Sequence, residues 1–214
     1  MKVLVIGANG QIGKQVMDKL SETTGDIPVA MVRKEEQLTD FKNRGMEAVH
    51  ASLTGTVEDL AKAMQGCDAV VFTAGSGGHT GYDQTLLIDL DGAGKAIEAA
   101  EKADVSRFVM VSAIHANDRE KWSAIEPYMA AKHYADKMLM NSSLDYTIVR
   151  PGGLLNEPGI GKVKASASLE RNTIPREDVA ATIVEVLHND QTIHKSFDLV
   201  TGEETIGEAL KGIW

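Results

Sequence analysis

The stretch Gly7-Ala8-Asn9-Gly10-Gln11-Ile12-Gly13 decides the reading of this chain. It follows an apolar run, Lys2 to Ile6, and leads straight into residues with helical spacing, Ile12 to Leu20. A GxxGxxG bend of this kind turns backbone N–H groups and a helix N-terminus toward a pyrophosphate. A side chain at the close-approach glycines would hold the phosphate away. The same pattern also occurs as a bare strand-to-helix turn. Here it follows the first strand, opens a helix and lies in a βαβ unit of about thirty residues, the context a dinucleotide site requires. We therefore expect Gly7, Asn9, Gly10, Gln11, Ile12 and Gly13 to hold the diphosphate of a nicotinamide cofactor.

Outward from that turn, β-branched apolar runs recur at Val29 to Val32, Glu47 to Ala51, Ala69 to Ala74, Arg107 to Val111 and Tyr146 to Arg150. Helical spacing fills the gaps at Val57 to Met64, Leu86 to Ala103 and Tyr128 to Asn141, with a weaker candidate at Glu36 to Asn43. Six strands alternating with helices imply a doubly wound parallel α/β sheet covered on both faces, with ligands beyond the carboxyl ends of the strands. After Arg150, Pro151, Gly152, Gly153, Pro158, Gly159 and Gly161 crowd together and mark an irregular segment. Residues 151–214 then read as a small C-terminal substrate lobe on a single domain spanning 1–214. That lobe has candidate strands at Val163 to Ala167 and Phe197 to Val200, a helix opened by Pro175 and a short terminal helix.

Bulk properties bound the function. The 214 residues, 43% hydrophobic and 25% charged, suit an ordinary globular domain. A net charge of -9 disfavours nucleic acid and anionic membrane surfaces as partners. No apolar run is long enough to span a bilayer, and Val3 to Ile6 is too short for a signal-peptide core, so a cytoplasmic location is expected. Cys67 is the only cysteine and reads as a buried structural thiol. The six histidines, His50, His79, His115, His133, His188 and His194, fall in no paired ligand spacing, so no metal is expected.

The residue after the second strand, Arg33, stands about twenty positions beyond Gly13, where an acid would bind a ribose 2'-hydroxyl. An arginine there, helped by Lys34, instead suits a 2'-phosphate, so NADP is expected over NAD. The competing reading is an exposed loop arginine in the charge cluster with Glu35 and Glu36.

Tyr128 and Lys132 lie four apart on one helix face, and Ser112 falls just after the fifth strand. A phenol titrates near ~10, and a neighbouring ammonium favours its phenolate. Tyr128 would exchange the proton, Lys132 would supply the charge and Ser112 would hold the substrate oxygen.

The sequence resembles the short-chain dehydrogenases/reductases, specifically the atypical group related to NmrA-like and epimerase-like proteins. The resemblance rests on the GANGQIG turn, FTAG at Phe72 to Gly75, VSA at Val111 to Ala113, the Tyr128/Lys132 pair, RPGGL from Arg150 and REDVA from Arg176. It covers nearly the whole chain and implies a Rossmann fold, catalysis by Ser112, Tyr128 and Lys132, and NAD(P) on Gly7, Gly10 and Gly13. Asp89 departs from the asparagine usual in the long fourth helix of extended members.

Ala74, Gly75 and Ser76 open the run Gly75-Ser76-Gly77-Gly78-His79-Thr80-Gly81, which either lies over the cofactor or forms a mobile loop. Pro151, Gly152 and Gly153 either admit backbone to the nicotinamide end or simply turn into the lobe, and Asn156 is a candidate substrate contact. His115 and Trp122 are read as a substrate edge or as plain packing, and His133 as structural. The expected function is an NADP-dependent oxidoreductase acting on a small carbonyl or related acceptor. The alternatives are a non-catalytic NADP(H)-sensing binding protein and a nucleotide-sugar epimerase or dehydratase.

Overall fold

The computed structural model describes residues 1–78, 80–122 and 125–213. In chain order the first half runs β1 (Lys2–Ile6), α1 (Gln11–Glu22), β2 (Ile27–Val32), α2 (Glu35–Asn43), β3 (Glu47–His50), α3 (Val57–Met64) and β4 (Ala69–Phe72). Then come α4 (Tyr82–Gln84), a π-helical segment Thr85–Asp91, α5 (Gly92–Lys102), β5 (Arg107–Val111), α6 (Glu126–Met140) and β6 (Asp145–Pro151). The chain closes with β7 (Gly153–Leu155), β8 (Lys162–Ser166), β9 (Thr173–Pro175), α7 (Arg176–Leu187), β10 (Lys195–Thr201), β11 (Glu204–Thr205) and α8 (Ile206–Lys211).

Nine strands form one sheet in the order β11-β8-β10-β6-β5-β4-β1-β2-β3. Pairing is parallel from β3 through to β10 and turns antiparallel only at β8 and β11. The order reverses beside β1, between β2 and β4, which places a ligand crevice at the carboxyl ends of these strands.

Successive strand residues point to opposite faces, so a strand buried on both faces must be apolar throughout. On β1, Val3 and Val5 pack into one core with Val16 and Leu20 of α1 and Ile183 and Val186 of α7. Leu4 and Ile6 enter the other core with Leu60 and Met64 of α3, Ala96 and Ile97 of α5 and Leu139 of α6. Each fully buried side chain of this size contributes about 1.5–3 kcal/mol. Cys67 is buried as expected, and burial pushes its thiol up.

The structure departs from the periodicity in four places. β4 stops at Phe72 rather than Ala74: the Thr73 N–H makes the last ladder bond, to the Ile6 carbonyl at 2.9 Å, the Thr73 hydroxyl shares that acceptor at 2.9 Å, and beyond Ile6 β1 gives way to the turn at Gly7. The helix expected over Leu86 to Ala103 begins earlier and is π-helical through Thr85–Asp91, becoming α only at Gly92. Pro175 caps α7 rather than entering it. Finally, β10, β8 and β11 extend the main sheet, and β7 with β9 forms a separate two-stranded parallel sheet.

One buried cation ties β5 to β6, to the end of α7 and to Thr192, just ahead of β10. Arg107, at the start of β5, donates through Nη2 to the Val186 carbonyl (2.6 Å), Thr147 Oγ1 (2.8 Å) and Thr192 Oγ1 (3.0 Å), and through Nη1 to the Asp145 carbonyl (2.7 Å). Burial pulls its guanidinium down to about 10, so it stays charged at neutral pH and meets the negative end of α7 at Val186.

Candidate functional site

The glycine turn is built for contact. Gly7 has φ +86°, and a Cβ there would stand 2.7 Å from the Ala74 nitrogen, so a side chain is opposed both by backbone conformation and by the end of β4. A Cβ at Gly13 would lie 2.1 Å from the Gly7 carbonyl oxygen, which shows why α1 can start so close to β1. The Gly10 N–H donates to the Gly7 carbonyl at 2.8 Å, and the first intrahelical bond runs from Lys14 N–H to the Gly10 carbonyl at 2.9 Å. The N–H groups of Gln11, Ile12 and Gly13 precede that bond, and Gly10 offers no side chain to cap them.

Beside the turn lies a cavity of about 380 Å³. Gly7, Asn9 and Gly10 form one wall, and Ala74, Gly75, Ser76 and Thr80 form another. Arg33 and Gln37 close the side beyond β2, while Ala51, Ser52 and Leu53 after β3 supply the floor. Arg33 is the one charged side chain lining it among the described residues, and no carboxylate faces it there. Lys34, expected beside Arg33, does not line the cavity and pairs with Glu36 at 3.3 Å on the surface. Gln37, Ser52 and Leu53 were missed from sequence. The rule that ligands sit beyond strand ends, applied to β3 as well as β2, would have found the latter two.

These residues fit a dinucleotide. The close approach at Gly7 and the uncapped N–H groups of α1 match a diphosphate, and the cavity has room beside them for a nucleoside.

Ser112, Tyr128 and Lys132 do not line that cavity and form a separate cluster around Lys132, which is buried on α6 and donates from Nζ to the Val111 carbonyl at 3.1 Å. The same Nζ stands 5.9 Å from the centre of the Tyr128 ring and 3.6 Å from Asp89 Oδ1. Desolvation, the largest influence on this ammonium, lowers its pKa, but Tyr128, Asp89 and Asp136 together outweigh it and hold the pKa above the usual lysine value. Ser112 follows Val111, and its N–H donates to the Val149 carbonyl at 2.8 Å. The Ser112 hydroxyl is buried with no hydrogen-bond partner, so its bonding capacity is unspent and the chain covering it must move before a ligand can meet it. Lys132 is thus bonded to the end of β5, next to Ser112, with the Tyr128 ring nearby.

Charge continues behind Lys132. One turn along α6, Asp136 Oδ2 accepts from Arg150 Nε at 2.8 Å, and both side chains are buried. Asp198 on β10 accepts the Leu169 N–H at 3.1 Å, and desolvation pushes its carboxyl up against the pull of Leu169, Arg150 and His115.

Other expected contacts have different surroundings. Gly152 donates to the Leu199 carbonyl and Gly153 to the Asn172 carbonyl, at 2.9 Å each, and a Cβ at Gly152 would reach within 2.0 Å of the Asn172 oxygen. Pro151, buried at the end of β6, accepts the Ile114 N–H at 3.0 Å. Asn156 lies against Arg176, whose Nη1 donates to its Oδ1 at 2.8 Å, on a shallow surface groove beside α1. His115 is buried with φ +65° and its ring meets the Leu169 carbonyl at 2.8 Å, while the Trp122 indole donates to the His115 carbonyl at 3.1 Å. His133 is buried against the Ala116 carbonyl at 2.7 Å. His79, in the glycine run, lies outside the described residues. Among the described residues no cluster of three or more His, Cys, Asp or Glu could hold a metal ion, and no helix is long and apolar enough to cross a membrane.

Comparison with known proteins places this geometry in a family. A family model described as NAD(P)H-binding matches residues 7–190. A Bacillus subtilis protein named as an uncharacterized sugar epimerase is 55% identical over 212 residues, covering 99% of each chain. Of solved structures, a Bacillus halodurans protein provisionally described as an NAD-dependent epimerase/dehydratase superposes with TM-score 0.93 at 43% identity, covering 100% of both chains. A Lactococcus lactis protein described as an oxidoreductase gives TM-score 0.90 at 37% identity, covering 99% of this chain and 95% of that one. The chain belongs to the NAD(P)H-binding family and is a Rossmann-fold protein of the atypical short-chain dehydrogenase/reductase type.

Proposed function

We propose that this protein is an NADP-dependent oxidoreductase that reduces a small carbonyl or related acceptor. The observation that carries the reading is the Lys132 ammonium, buried and fixed between Tyr128, the end of β5 and Asp89. An ammonium beside a phenol stabilises the phenolate left when the phenol gives up its proton.

Gly7, Asn9, Gly10, Gln11, Ile12 and Gly13 would hold the diphosphate, Arg33 the 2'-phosphate, and Ala74, Gly75 and Ser76 the wall beside the ribose. When bound, reduced nicotinamide supplies a hydride. Ser112 donates its unspent hydroxyl to the substrate oxygen, and Tyr128 passes its phenolic proton to that oxygen as the carbonyl carbon is reduced. Lys132 keeps its charge beside the resulting phenolate, and the tyrosine regains a proton from water. Pro151, Gly152 and Gly153 serve by shaping the end of β6 through their bonds to Ile114, Leu199 and Asn172.

The test is to follow NADPH consumption with a panel of carbonyls and quinones. Turnover is expected with at least one acceptor, and Tyr128→Phe should lower it by about 10²- to 10⁴-fold. Undiminished turnover in that variant would remove Tyr128 from the chemistry.

The names of the two Bacillus relatives favour a second reading, epimerisation or dehydration of a nucleotide sugar. Against it, β8, β10 and β11 extend the main sheet, α7 packs into its core and β7 with β9 forms one small sheet, leaving little chain to enclose so large a ligand. Nucleotide sugars that raise the melting temperature and turn over without net NADPH consumption would favour it instead.

A further inference from the structure

Asp89 is a fully buried carboxylate on the π-helical segment Thr85–Asp91. The wide turn of that segment, a geometry common at functional positions, carries both Thr85 and Asp89 inward. Asp89 Oδ2 accepts the Ser76 N–H at 3.0 Å, and Ser76 Oγ lies 3.4 Å from Thr85 Oγ1. Ser76 belongs to the loop that walls the cofactor cavity. The other oxygen, Oδ1, has no hydrogen bond and stands 3.6 Å from Lys132 Nζ. A Cβ at Gly75 would come within 3.2 Å of that oxygen, so the loop leaves room for the carboxylate.

A buried ammonium needs a counter-charge. Lys132 faces Asp89 from the π-helical segment, Tyr128 and Asp136 from its own helix and the Val111 carbonyl from β5, with Arg150 of β6 behind Asp136. Arg150 occupies Asp136 at 2.8 Å, which leaves Asp89 as the carboxylate whose neighbouring cation is Lys132.

We propose that Asp89 is a positioning residue that couples the cofactor loop to Lys132, one oxygen holding Ser76 and the other neutralising the ammonium. Cofactor seating against Ser76 and the placement of Lys132 then become one event. Its effect on turnover rests on the oxidoreductase reading, whereas the coupling itself is measurable without any reaction.

Two variants separate the two oxygens. Asp89→Asn keeps an acceptor for Ser76 but removes the charge, and Asp89→Ala removes both. In the protein alone, nitrogen NMR of the lysine side chains should show Lys132 losing its proton about one pH unit or more lower in Asp89→Asn, with Ser76 amide exchange unchanged. Asp89→Ala should also speed Ser76 exchange about tenfold or more and weaken NADPH binding about tenfold, while Asp89→Asn leaves that affinity within about threefold. With a substrate in hand, the alkaline limb of the rate profile should move to lower pH in Asp89→Asn. An unchanged Lys132 titration in Asp89→Asn overturns the proposal, as does unchanged Ser76 exchange in Asp89→Ala. If Asp89→Ala does not fold, the Asp89→Asn titration decides alone. A Lys132 that responds in a protein without turnover would sink the oxidoreductase reading and leave the coupling standing.

Discussion

Gly13 has the tightest surroundings of the three glycines in the turn. With the Gly7 oxygen 2.1 Å from a would-be Cβ, Gly13→Ala must push α1 off β1 or spread the turn. Overpacking of this kind costs about 1–3 kcal/mol, and the displaced N–H groups should weaken NADPH binding at least tenfold, measurable by urea unfolding and calorimetry. A variant with unchanged stability and affinity would contradict the geometry. Arg33 is exposed and forms the charged part of the cavity lining, so Arg33→Ala should weaken NADPH about 10- to 100-fold and NADH little, as expected for loss of a charge-assisted contact worth about 1.5–3 kcal/mol. Both residues were legible in the sequence because a strand–turn–helix and the end of the next strand are local patterns. Tyr128 was legible as the partner of Lys132 from helical spacing, and Asp89 was singled out only through the family resemblance, but its contact with Lys132 was not legible. Asp89 is distant in sequence, and only the π-helical turn brings it within 3.6 Å.

The elements after Arg150 read differently in sequence and space. Val163 to Ala167 and Phe197 to Val200 announce strands, but nothing local says that β10 will pair parallel with β6 or that β8 will reverse beside it. Those pairings are non-local; Arg107 joins β5, β6 and the end of α7, and through Thr192 it reaches the segment just ahead of β10. Arg107→Leu removes the donor to two carbonyls and two hydroxyls in a buried setting, and should destabilise the fold by about 3 kcal/mol in denaturant titration. A loss below about 0.5 kcal/mol would show that the clip is dispensable. Asp198 on β10 offers a pH test. Desolvation raises its folded pKa above 3.8, so its ionised form costs stability above that raised value, and the cost disappears as pH falls to 3.8. Asp198→Asn should therefore be most favourable relative to wild type near pH 7 and lose that advantage by pH 3.8. A stability difference between the two that does not change with pH would contradict the assignment.

At the scale of the whole molecule, the candidate cavity lies along the carboxyl edge of a sheet of seven parallel strands, the first six of which alternate locally with helices, which is why the fold class was readable from periodicity. A ligand that binds the folded state adds RT ln(1 + [L]/Kd), about 2.7 kcal/mol at a hundredfold excess over Kd. For a chain of this length that should raise the melting temperature by roughly 5–10 °C with NADPH. The most direct measurement is calorimetric titration of the purified protein with NADPH and with NADH. Saturable binding of one NADPH per chain, tighter than NADH, is the expected result, and failure of both nucleotides to bind would contradict the dinucleotide site at the glycine turn.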